Sequence, residues 1–261
     1  MQKSYVHTES GNNVVAIGHL EFEIAQGELV AIAGRTGCGK STFLNLLLGL
    51  DRPSAGHILV DGRKPYEDFF WFRGKIAAIF QQDRLLPWRT AIDNVELGLA
   101  ILGHPAAERK EIAASWLARM GLGDYLGAYP HEMSGGMRQR VAMARAYAVD
   151  PEILVVDEAF GHLDEVTARA LRKTFGDVTR GERKTAVMVT HQLEEAFEIA
   201  DRILVFGQPA TVLVDVMASE LESDPRHWRS YIHEVIENNI APIVRRGQSN
   251  GGNCAVGSST L

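Results

Sequence analysis

The sequence predicts an α/β protein with a mainly parallel sheet, a small antiparallel β-subdomain at its N-terminus and a helical subdomain inserted in the middle. Three observations lead there. Leu29-Val30-Ala31-Ile32-Ala33 reads as a short buried strand, a glycine-rich run over 34–41 follows it, and 42–48 reads as a helix that stops at Gly49. Ile153-Leu154-Val155-Val156 and Ala186-Val187-Met188-Val189 are continuous apolar runs, as in parallel strands covered on both faces; a helix over about 164–178 joins them as a βαβ unit. Over 91–145 the pattern is helical, with Ile112, Trp116, Leu117 and Met120 on one face.

Taken in order, 14–33 carries short apolar segments between turn residues, an antiparallel meander with a turn at Gln26-Gly27. After the first helix, Asp51-Arg52-Pro53-Ser54-Ala55-Gly56 is a loop and 57–60 a strand closed by Asp61-Gly62. Ile76-Ala77-Ala78-Ile79-Phe80 is a further buried strand that delivers Gln81-Gln82 at its end. Asp224 and Pro225 make an N-cap and first-turn pair for a helix over 225–238, with Trp228, Tyr231, Ile232, Val235 and Ile236 on one face. That stripe reads as packing on the core; a regulatory or partner-binding role is the alternative. The folded domain is expected over 1–240, its helical subdomain at about 84–148, and 241–261 as a disordered tail rich in Gly, Ser and Asn.

At 261 residues and 46% hydrophobic, the chain can bury one large core or two modest ones. A formal charge of −6 argues against a general nucleic-acid binder. Cys38 sits in the glycine loop and Cys254 in the polar tail, so no disulfide framework is implied and a reducing cytosol is the expected compartment. No apolar run is long enough to span a bilayer, and residues 1–7 carry no apolar signal region.

Gly34-Arg35-Thr36-Gly37-Cys38-Gly39-Lys40-Ser41 satisfies the P-loop pattern G-x-x-x-x-G-K-[ST], in the strand–loop–helix context that pattern needs. The loop from Gly34 through Thr42 is expected to cradle the phosphates of ATP: the glycines let backbone N–H groups converge, and the helix start adds partial positive charge. Lys40 would reach the β- and γ-phosphates and the Ser41 hydroxyl would hold Mg²⁺. Asp157 and Glu158 end the strand at 153–156, where open α/β sheets present ligands. Asp157 suits a group that holds Mg²⁺ indirectly, through a bound water or another ligand, Glu158 the base that polarises the attacking water. His191, after the strand ending at Thr190, suits a hydrogen bond to the γ-phosphate, with Thr190 as the cap of the helix that follows. Gln81 suits an uncharged Mg²⁺ ligand or water-orienting amide, although the residues leave open which of Gln81 and Gln82 is used.

Met133-Ser134-Gly135-Gly136-Met137-Arg138-Gln139-Arg140 decides between families. Ser134 is a good N-cap, the glycines permit close backbone approach, and a helix over 137–147 follows, a second helix start fit for an anion. These residues resemble the signature motif of ABC ATPases. The resemblance covers about 29–206 and takes in, in the family's order, the Walker A loop, the Q-loop FQQ, the signature, the Walker B run ILVVDE, the D-loop GHLD at 161–164 and the switch His191. It implies a head-to-tail homodimer in which Ser134, Gly135, Gly136 and Gln139 serve the partner's ATP. It also implies transmembrane permease subunits, a solute-binding protein acting through them, and a peripheral place on the cytoplasmic face of the cell membrane.

Leu85-Leu86-Pro87-Trp88 resembles the LLPW segment of ATPases serving nitrate, sulfonate and taurine importers, and Pro130-His131-Glu132 agrees. Two readings of this segment stand side by side: a proline turn packing Leu and Trp into the helical subdomain, and a contact for a membrane subunit. Ala159 and His162 depart from the residues usual after the Walker B glutamate and in the D-loop, which implies altered dimer contacts with every catalytic group kept. The N-terminal strand is short, so Tyr5 is the candidate for stacking on adenine, across a loop through Ser10-Gly11-Asn12-Asn13; a frayed terminus is the alternative. The rival readings are a soluble ABC ATPase acting on DNA or ribosomes, a P-loop small-molecule kinase and a nucleotide-binding regulator without turnover. The first would bring a long coiled-coil insertion, a zinc module or two tandem ATPase domains, none of which is visible; the second would want an Arg-rich lid and has no use for a signature helix; Glu158 argues against the third.

Overall fold

The computed structural model describes residues 1–6, 13–221 and 224–239; the loop expected over 10–12, the tail at 241–261 and Cys254 lie outside them. Its main sheet has six strands in the order β4 (Ile76–Phe80), β5 (Ile153–Asp157), β6 (Thr185–Thr190), β3 (Leu29–Gly34), β7 (Arg202–Phe206) and β8 (Val212–Met217). The first five run parallel and β8 closes one edge antiparallel. β3 is apolar throughout and β5, β6 and β7 carry polar residues only at their ends, because both faces are covered, so no alternation survives in their sequences.

Between the strands lie α1 (Lys40–Leu47), α2 (Ala91–Leu102), α3 (Ala106–Arg119), α4 (Gly135–Ala148), α5 (Glu165–Gly181) and α6 (Leu193–Ile199). The short α7 (Ala218–Leu221) and α8 (Pro225–Asn238) follow β8. α1 ends where expected, with Gly49 in the left-handed region at φ 70°. α2, α3 and α4 pack on one another as the helical subdomain: Leu117 and Met120 are buried and Trp116 stacks on Tyr147, ring centres 5.1 Å apart. On α8, Ile232 and Val235 are buried and Trp228, Tyr231 and Ile236 lean on the same core, so its stripe is a packing face.

The N-terminal region departs from the expected meander. β1 (Lys3–Val6) and β2 (Asn13–Ile17) form a two-stranded antiparallel sheet in which Tyr5 pairs with Val14, so Tyr5 belongs to a ladder and not to a frayed end. Residues 18–28 form no strand, although Gln26-Gly27 is the predicted turn. The strand expected over 57–60 is likewise absent; Val60 only bridges Arg63 across the Asp61-Gly62 turn. The physical reason is missing company. Phe22 packs inward against Phe43 and Phe206, ring centres 5.6 and 6.1 Å away, which satisfies the apolar pattern. A groove of about 840 Å³ separates the 19–26 and 57–61 segments, so neither finds a strand to pair with.

Candidate active site

The parallel register sets four chain segments side by side. Phe80 pairs with Asp157, Asp157 with Val189, and Thr190 with Ala33. Gln81, Glu158, His191 and the loop after β3 therefore step off one edge of the sheet, its carboxyl end.

Glycine is dictated at two positions of that loop. A Cβ on Gly34 would lie 2.7 Å from the Phe206 carbonyl oxygen, and one on Gly39 would lie 2.4 Å from that of Ala16. Gly39 also has φ 109° and starts α1 without a side-chain cap, leaving the first-turn N–H groups of Lys40, Ser41 and Thr42 to an outside acceptor. Lys40 is buried, its Nζ donating to the carbonyls of Gly34 (2.7 Å) and Arg35 (3.1 Å), so the ammonium lies over the loop. Thr36 and Gly37 form the exposed tip and Ser41 is exposed at the mouth. The Cys38 side chain is buried, and that burial pushes its thiol pKa up, so the sulfur is a packing group.

Glu158 sits in the left-handed region at φ 47°, its N–H donating to the Val189 carbonyl at 3.1 Å. Its Oε2 lies 3.1 Å from His191 Nδ1, so two residues read separately from the sequence touch. Burial, and then the neighbouring Glu158 carboxylate, push the pKa of Asp157 up, opposed by Arg84 and Lys40. A carboxylate so placed gains from an added cation. Thr190 does not cap the following helix: α6 starts at Leu193 after Gln192, and the Thr190 hydroxyl accepts from Gln192 N–H at 2.9 Å while donating to Glu195 at 2.5 Å. Glu195 in turn faces buried Arg172 at 3.5 Å, a support for the His191 turn that no sequence signal marked.

Ser134 caps α4, accepting from Met137 N–H at 3.3 Å. Gly136 is there for contact: a Cβ would meet Thr167 Cγ2 at 2.6 Å, so the start of α4 presses on α5. Gln139 does not face outward with Ser134. It is 4% exposed and donates to the Phe80 carbonyl at 3.3 Å, because five residues carry it about 140° round the helix. Gln81 and Gln82 are both exposed. The Tyr5 hydroxyl donates to Asp51 Oδ2 at 2.7 Å; its pKa is raised by burial first and then by Asp51, and a hydrogen bond with Thr42 opposes the rise, which places Tyr5 beside the first turn of α1.

In the segment after Gln81, Leu85 is buried while Trp88 is 71% exposed, so the proline turn packs only its first leucine into the core. Asn94, 0% exposed, fixes the turn: its Oδ1 accepts from Leu86 N–H (2.7 Å) and its Nδ2 donates to the carbonyls of Leu86, Arg89 and Thr90. Asn94→Ala is expected to destabilise the protein by about 2–3 kcal/mol, since it orphans polar groups at a buried site. A melting temperature within a degree of the parent would show the turn to be held otherwise.

The fold and this edge define a P-loop nucleotide hydrolase with a second glycine-rich helix start at Ser134. The family model for ABC transporters matches residues 17–161, more than half the chain. An uncharacterized ABC transporter ATP-binding protein of Methanocaldococcus jannaschii is 39% identical over 216 residues, 82% of this chain and 78% of that protein. The taurine import ATP-binding protein TauB of Rhizobium johnstonii is 41% identical over 200 residues, 76% of this chain and 74% of that one. Among solved structures, the ATP-binding cassette MJ0796, in a dimeric post-hydrolysis state bound to ADP and Pi, superposes with a TM-score of 0.74 at 32% identity, covering 83% of this chain and 96% of that one. The chain belongs to the ABC transporter family, as an ATP-binding subunit whose ATP hydrolysis is coupled to transport. No helix among the described residues is long and apolar enough to cross a membrane.

Proposed function

We propose that this subunit powers uptake of a small anionic solute of the nitrate, sulfonate or taurine type. It acts as a head-to-tail homodimer at the cytoplasmic face of the membrane, beneath separate transmembrane permease subunits that a solute-binding protein feeds. The observation that carries the reading is Trp88, a large aromatic left 71% exposed seven residues after Gln81 on a turn that Asn94 holds rigid. An exposed indole on a fixed loop is a ready anchor for a partner. The LLPW resemblance and the likeness to a taurine import ATPase support the choice of solute.

In this scheme Tyr5 stacks on adenine, the loop from Gly34 to Thr42 binds the phosphates, and Ser134 with Gly135 and Gly136 closes over the partner's ATP. The donor set fits Mg²⁺: an exposed hydroxyl at Ser41, an amide at Gln81 or Gln82, and a carboxylate at Asp157 whose pKa is pushed up by burial and by the adjoining Glu158 carboxylate. Bound there, Mg²⁺ would neutralise charge on the β- and γ-phosphates. Glu158 takes the proton of the attacking water and His191 holds Glu158 in place. The ABC ATPase domain spans 1–240 in this scheme.

The test is gentle solubilisation of native membranes, followed by identification of the permease and binding protein that co-purify and of the solute the latter binds. Recovery with a cation- or peptide-binding partner would refute the choice of solute. A second test uses Leu86→Ala with Trp88→Ala. The pair is expected to leave the ATP affinity of the isolated subunit unchanged and to abolish ATP-dependent uptake in reconstituted vesicles. Uptake that survives in the double variant would remove this turn from the transmembrane contact.

A further inference from the structure

Three side chains of α4 hold the segment that follows β4. Gln139 Nε2 donates to the Phe80 carbonyl at 3.3 Å, and Arg145 donates to the carbonyls of Asp83 (2.7 Å) and Arg84 (2.8 Å). Arg138 does two things at once: its Nε donates to Asp83 Oδ2 at 2.9 Å, and its Nη1 donates to the Met133 carbonyl at 2.8 Å, immediately before Ser134. Asp83 is itself fixed, its Oδ1 accepting from Leu85 N–H at 3.0 Å. One guanidinium therefore ties the loop that leaves Gln81 to the loop that presents Ser134. The 81–84 segment and the first turns of α4, through Gly135, Arg138 and Gln139, line a single cleft of about 430 Å³, which also takes in His162 and Leu163 of the D-loop.

We propose that Asp83 and Arg138 are positioning residues that hold the signature loop in register with the glutamine loop. The segment at a chain's own ATP and the loop offered to its neighbour's ATP then move as one body. The physical case is reach. Backbone carbonyls alone would let the start of α4 slide along the 80–84 segment, whereas a charged hydrogen bond from a planar group that also grips Met133 fixes both distance and angle. The ion pair is partly shielded, its side chains 35% and 28% exposed, so salt does not fully screen it. The inference rests on the composite-site reading given above.

The experiment measures ATP-driven dimerisation by sedimentation in a Glu158→Gln background, with ATP affinity and melting of the monomer alongside. Asp83→Asn and Arg138→Met are each expected to weaken the dimer about ten-fold while leaving monomer ATP affinity and melting temperature unchanged. The double variant should lose about the same ten-fold and not a hundred-fold, the mark of two residues acting through one contact. Dimers of parental affinity in either single variant would overturn the proposal. So would additive losses, or a fall in dimerisation matched by a fall in monomer melting, which makes the pair a fold support only. Gly135→Asp, run in parallel, separates the underlying reading: dimers that form with Asp at 135 would refute the composite site itself, whatever the ion pair does.

Discussion

Glu158→Gln is expected to slow ATP turnover about 10²–10⁴-fold, the usual worth of a general base, while ATP binding is retained. The substitution keeps the shape of the side chain and removes only its ability to accept a proton. It also removes the carboxylate from the 3.1 Å contact with His191, but an amide oxygen still accepts a hydrogen bond there. The loss should therefore fall on kcat with KM little moved, since in the proposed scheme the loop after β3, and not this carboxylate, holds the phosphates. Single-turnover hydrolysis with fluorescent ATP binding measured in parallel separates the two. Turnover within a few-fold of the parent would mean that another group positions the water.

Gly135→Asp is expected to abolish ATP-driven dimerisation and leave the monomer able to bind nucleotide. The position can take the side chain: a Cβ at Gly135 would meet Leu163 Cδ2 at 3.4 Å and Arg138 Nη2 at 3.9 Å, both ordinary contacts. Gly136 is different, because its Cβ would collide with Thr167 and unsettle α4 against α5. Choosing 135 over 136 thus isolates charge from packing. A carboxylate beside the Ser134 cap would face the γ-phosphate of a neighbour, a like-charge approach costing several kcal/mol where water is excluded. Sedimentation with ATP, scored against a Gly135→Ala control, reads the effect.

What was legible in the sequence was what is encoded locally. The strand–loop–helix over 29–48, the apolar runs of β5 and β6 and the capped α8 each carry their instructions within about a dozen residues. The antiparallel region was harder, since Leu20, Phe22 and Ile24 alternate as a strand does while pairing depends on what lies alongside. β7 and β8 share a different obstacle. β7 opens on Arg202 and the apolar run of β8 is broken by Asp215; the two form a buried bidentate pair at 2.6 and 2.7 Å, and a charge in a strand reads as an exposed position until its partner is seen. The chemistry was legible as residue types but not as contacts. The Glu158–His191 contact exists because β5 and β6 are neighbours in a particular register, which no single stretch of chain records. Gln139 misled because a motif is read as a line while a helix presents it as a circle.

Glu158 has one more consequence. A residue with a side chain held at φ 47° costs about 1–3 kcal/mol relative to an ordinary conformation, and glycine would be indifferent to it. Drift toward thermodynamic ease would therefore replace this glutamate with glycine, and the resulting chain would fold more readily while lacking the carboxylate proposed as the base. The position is a place where selection for work and selection for durability pull in opposite directions. A lineage that ceased to depend on hydrolysis would be free to lose the carboxylate here early, and would gain stability as it did so.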